Sequence, residues 1–72
     1  MNIEMEIGKI LNNMNIEIKY DNTFDAESFQ IIQLIVEVEE TFNIQFPLEA
    51  LDFEKLNSID FFSNVVYNLI YK

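Results

Sequence analysis

The stretch Phe24-Asp25-Ala26-Glu27-Ser28-Phe29-Gln30-Ile31-Ile32 carries the residue with the clearest chemical potential, Ser28. It stands where a loop gives way to a helical pattern, between an acid and an aromatic. A serine at a helix start can cap it, because its oxygen accepts from an amide that has no partner within the helix. The same place suits an attached phosphate, whose charge sits against unpaired amides and the positive end of the dipole. Asp25 and Glu27 could hold a metal ion for a modifying enzyme, or steer that enzyme electrostatically.

Little else in the chain could do catalysis. Its 72 residues contain no cysteine and no histidine. A zinc site, a thiol nucleophile and a histidine base are thereby excluded as residues of this chain. Asp21, Thr23 and Asp25 alternate as in a calcium loop, but Ala26 stands where that loop needs glycine and Ile32 where it needs glutamate. Glu39-Glu40 reads as a solvated face. Tyr67 and Tyr71, four apart, read as packing residues. The asparagine-rich surface carries no functional reading.

The elements that must hold Ser28 follow from periodicity. The length fits one domain, residues 1–72, and half of the residues are apolar, enough for one core. One Gly and one Pro point to a compact helical chain. Ile3, Ile7, Ile10, Leu11 and Met14 recur at helical spacing, which predicts a helix from about Asn2 to Met14, weakened by Gly8. "IEIKY" alternates like a strand but has no partner strand, so it is read as an extended loop laid on the bundle. A second helix is predicted from Ser28 to Phe42, stopped by a left-handed Asn43. Pro47 blocks helix in the "NIQFP" turn. "LEALDFEKL" is ambiguous and is assigned a short helix. Ser58 reads as the cap of a last helix, with Asp60 in its first turn and Ile59, Phe62, Val66, Leu69 and Ile70 as its apolar stripe. The expected fold is all-α: a small four-helix bundle of three main helices and one short one.

The second helix has more apolar residues than its core face needs. Ile31, Leu34, Ile35, Val38 and Phe42 form that face at about 100° per residue. Gln30, Gln33, Glu37, Glu40 and Thr41 lie opposite. Phe29 and Val36 fall among the polar residues, with Ile32 at the edge of the core stripe. Either the preceding loop or the short helix covers them, or they form a docking strip, apolar at its centre and acidic at its rim. On the second reading Glu27, Phe29, Ile32, Gln33, Val36 and Glu40 contact a partner.

The charge constrains that partner. Thirteen acids against four bases give a net charge of −9. Nucleic acid and anionic membrane are excluded as partners, and a basic protein surface is the complement. No apolar run reaches the roughly 18 residues that span a bilayer, and the N-terminus lacks the basic and long apolar regions of a signal peptide. A cytoplasmic monomer is expected.

The segment "FDAESFQIIQLIVEVEETFNIQFP", residues 24 to 47, resembles the acyl carrier protein family and its peptidyl carrier relatives. That family has Asp-Ser-Leu at the head of its second helix, where this chain has Glu27-Ser28-Phe29. An apolar helix then leads to an acidic pair, an aromatic and a short turn ending in proline, here Glu39-Glu40, Phe42 and Pro47. The likeness covers nearly the whole chain, and its sharp part is the Ser28-to-Pro47 spacing. It implies that a phosphopantetheinyl transferase attaches 4′-phosphopantetheine to Ser28, that acyl or aminoacyl groups ride on the imported thiol, and that partners dock along the second helix. The protein would then be a carrier and not an enzyme. Glu27 replaces the usual Asp, Asp25 a frequent Gly, and Phe29 the usual Leu. Gln30 and Gln33 replace residues often acidic in fatty-acid carriers. With "LDFEKLNSID", these departures imply a stand-alone carrier of a specialised pathway, with basic loading and transfer enzymes as partners. The alternative is an unmodified acidic helical adaptor that binds a basic protein through the second helix.

Overall fold

The computed structural model describes residues 2–47, 49, 51–52 and 54–71. Three helices organise it: α1 (Ile3–Asn13), α2 (Ser28–Phe42) and α3 (Ile59–Ile70). Among the described residues there is no strand, only two isolated bridges. The chain is all-α, as its periodicity predicts.

Helices α1 and α3 begin at residues that satisfy a leading amide. Asn2 Oδ1 accepts from the Met5 amide at 3.0 Å, and Ser58 Oγ from the Phe61 amide at 3.4 Å. The end of α2 is set by backbone conformation. Asn43 is left-handed at φ 54°, ψ 52°. The Ile44 amide then reaches back to the Glu39 carbonyl at 3.1 Å, the six-to-one bond that closes such a stop. Glu39 also accepts the Phe46 amide on its carboxylate at 2.8 Å, which ties the turn to the helix. Asn15 (φ 61°) and Asn22 (φ 67°) are left-handed as well. With a single glycine in the chain, asparagine supplies these conformations, because its short polar side chain tolerates them better than other residues do. Three of the asparagines thus have a backbone task that surface composition does not reveal.

The connection from α1 to α2 is extended, as expected of "IEIKY", yet it is stitched in place. Ile18 bridges Phe24, and Thr23 bridges Ser58. The Phe24 amide donates to the Asn57 carbonyl and the Ile59 amide to the Asn22 carbonyl, both at 2.9 Å. The loop is therefore clipped to the start of α3, and Phe24 is driven fully into the core.

That core joins Ile7, Ile10 and Leu11 of α1, Ile31, Leu34, Ile35 and Val38 of α2, and Ile59, Phe62 and Val66 of α3. Ile16, Phe24, Phe46 and Leu56 close it from the connections. The Phe46 and Phe62 rings meet at 5.6 Å. Ile3, Met14, Phe42 and Leu69 pack at its margin, whereas Ile70, assigned to the last apolar stripe, is exposed. Among the described residues no polar or charged side chain is buried in it.

The short helix expected in "LEALDFEKL" falls partly on Leu48, Ala50 and Phe53, which lie outside the described residues. Among the described ones there is no fourth α-helix. The chain makes one turn around Asp52, whose carbonyl accepts from Lys55 and Leu56 at 2.9 and 3.0 Å and whose carboxylate accepts from Glu54 at 3.1 Å. Once the side chain of Asp52 has closed this turn, Leu56 enters the core and the chain reaches Ser58.

Candidate functional site

The head of α2 is shaped by Glu27 rather than by Ser28. Glu27 is the N-cap, extended at φ −81°, ψ 163°. Its amide donates to Gln30 Oε1 at 2.8 Å, the return arm of a capping box. The Glu27 carbonyl accepts from Gln30 and Ile31 at 2.9 and 3.0 Å. Ser28 is consequently the first residue inside the helix, so the reading of it as the cap is corrected by one position. The physical reason lies three residues further on. Gln30 stands three past Glu27, and its long amide folds back onto the Glu27 N–H. Ile31 stands three past Ser28, and its side chain has no acceptor to offer.

Freed from capping, the Ser28 side chain is exposed and makes no hydrogen bond among the described residues. The Ser28 and Phe29 amides also lack a partner among the described residues, as the leading amides of a helix do. A hydroxyl, two donors and the positive end of the helix dipole thus share one accessible corner. Beside it Phe24, Asp25, Ala26, Glu27, Gln30 and Asn57 line an open depression of about 440 Å³. Asp25, in the loop before Ser28, pairs with Lys19 at 3.1 Å at the surface. Among the described residues no three acidic side chains gather closely enough to hold a metal ion.

The strip predicted along α2 is open. Phe29, Ile32 and Val36 are 64%, 54% and 46% exposed, and Glu27, Gln33 and Glu40 are exposed around them. Neither the preceding loop nor any other described residue covers them. Ile32, placed at the edge of the core stripe by periodicity, belongs to this outer ridge. From Phe29 to Glu40 the ridge runs about 16 Å along the helix, starting directly beside Ser28.

Sequence reasoning passed over a third feature. Tyr67 and Tyr71 pack, but on each other at the surface: their ring centroids are 4.7 Å apart, and the residues are 55% and 67% exposed. They form one wall of an open groove between α3 and the start of α1. The signal was the spacing of Asp60, Asn64, Tyr67 and Tyr71, which fall on one side of α3, next to its core stripe.

No helix among the described residues is long and apolar enough to cross a membrane. Comparison with family models, curated proteins and solved structures returns no significant match for this chain.

Proposed function

We propose that the protein is a carrier: Ser28 accepts 4′-phosphopantetheine, and an acyl or aminoacyl group travels on the thiol of that arm as a thioester. The observation that carries the proposal is the Ser28 side chain, exposed and without a hydrogen bond among the described residues at the positive end of α2. A phosphodiester on its oxygen would lie against the two unpartnered amides and the helix dipole. The resemblance of residues 24 to 47 to acyl and peptidyl carriers supplies the identity of the group. It also brings the finer fold, a four-helix bundle with a short helix between Pro47 and Asn57.

The chain itself contributes the acceptor, its exposure and a surface. The prosthetic group supplies the reactive sulfur that a chain without cysteine lacks. No base is needed beside Ser28, because the transferase provides it. Phe29, Ile32 and Val36, rimmed by Glu27, Gln33 and Glu40, offer transferase, loading and transfer enzymes an apolar contact within an acidic field. Gln30 is engaged with the Glu27 amide, so this head of α2 is fixed before any partner arrives.

A second reading rests on the same strip: an unmodified adaptor that binds a basic protein. Intact mass separates the two. Co-expression with a broad-range phosphopantetheinyl transferase is expected to add one phosphopantetheine, and Ser28→Ala to abolish the gain. A mass that stays unchanged with every transferase tried would remove the carrier reading and leave the adaptor.

A further inference from the structure

The groove between α1 and α3 lies apart from the proposed carrier surface, since none of its lining residues belongs to α2. Its volume is about 700 Å³. Glu4 and Asp60, each in the first turn of its helix, place two carboxylates on its wall. Tyr67 and Tyr71 offer accessible aromatic surface, and Asn64 adds an amide. None of the described residues lining it is basic. Lys9 and Lys19 are paired elsewhere, with Glu6 at 3.9 Å and Asp25 at 3.1 Å. Ser63, which also lines the groove, has a buried Oγ with no hydrogen-bond partner among the described residues. A hydroxyl both donates and accepts, so bonding capacity is left open at the groove.

We propose that this groove is a second docking surface, which takes an arginine side chain presented by a protein partner. Carboxylates and aromatic rings around one groove select a cation, and the charge of −9 draws it in. A guanidinium suits the wall better than an ammonium. Its planar, weakly hydrated face can stack on a tyrosine ring, while the carboxylates of the groove attract its charge at longer range. A peptide suits it better than a free amine. From Asp60 to Tyr71 the wall extends about 16 Å, longer than one side chain, so a chain can cross it with the arginine seated among the tyrosines. Tyrosine and arginine are also the residues that dominate binding energy where proteins meet.

The test is a titration of the full chain, followed by amide NMR shifts, with three capped tripeptides. Their central residue is arginine, lysine or citrulline, the last being planar but uncharged. Shifts from the arginine peptide are expected to centre on Ser63, Asn64, Tyr67 and Tyr71. Its affinity should exceed that of the lysine peptide about threefold, and the citrulline peptide should not bind. Replacing both exposed rings, Tyr67→Leu with Tyr71→Leu, should weaken the arginine peptide about tenfold. Asp60→Asn should weaken it as well, and Ser28→Ala should leave it unchanged. Shifts centred on α2, equal binding of the lysine peptide, or full affinity in the double tyrosine variant would each overturn the proposal.

Discussion

Two small polar side chains near the start of α2 behave differently because of their hydrogen bonds. Ser28 makes none among the described residues, so its loss costs the fold little. Ser28→Ala should shift stability by less than about 0.5 kcal/mol, read from a denaturant melt. A larger loss would mean that the hydroxyl serves the fold. Asp21 is the opposite case. Its carboxylate accepts the Thr23 hydroxyl at 2.7 Å and the Thr23 amide at 3.2 Å. These bonds favour the charged form and hold its pKa below the ordinary 3.8. A carboxyl depressed in the fold stabilises it at pH values above the unfolded pKa. That contribution is lost as pH falls through the folded pKa. The Asp21 carboxyl should therefore titrate by NMR with a midpoint under 3.8, and Asp21→Asn should flatten the acid limb of the stability curve below 3.8. A midpoint at or above the ordinary value would show that the Thr23 bonds do not persist in solution.

At the scale of the elements, α1 carries a weakness that its surroundings do not require. Gly8 sits inside the helix, and its φ is not positive. A Cβ added there would meet Ile18 Cδ1 at 3.8 Å, an ordinary contact. Gly8→Ala should therefore stabilise the protein by about 0.5–1 kcal/mol, because alanine loses less backbone freedom on entering a helix. For a domain of this size that corresponds to a rise in Tm of about 2–8 °C. An unchanged or lower Tm would mean that close approach of Ile18 needs the glycine. The α1–α2 connection has a different logic. Its alternation reads as a strand, and its lack of a partner strand reads as a loop. The loop reading holds among the described residues, since the single bridges Ile18–Phe24 and Thr23–Ser58 use the extended backbone without forming a sheet.

At the scale of the whole molecule, charge works against compaction. Thirteen acids face four bases, and the two ion pairs among the described residues are at the surface. Such pairs contribute little, so repulsion is left uncompensated. Raising the salt from about 10 mM to about 500 mM shortens the screening length from roughly 30 Å to under about 10 Å. Tm should rise by several degrees, and a melt insensitive to salt would show that the acids are too dispersed to repel. The three helices, with Asn2, Ser58 and Asn43 at their ends, and the buried faces of α1 and α2 are legible in the residues alone. These depend on neighbours within one or two turns, which periodicity and capping residues encode locally. Periodicity also marked Phe29 and Val36 as surplus to the core. Three-dimensional packing was needed to show that nothing among the described residues covers them, that Glu27 rather than Ser28 caps α2, and that Phe24 is a core residue. It alone brought Glu4, Asp60 and the tyrosine pair to the lining of one groove. Residues far apart in the chain meet only once the core has set the angle between helices, and no local pattern records that angle.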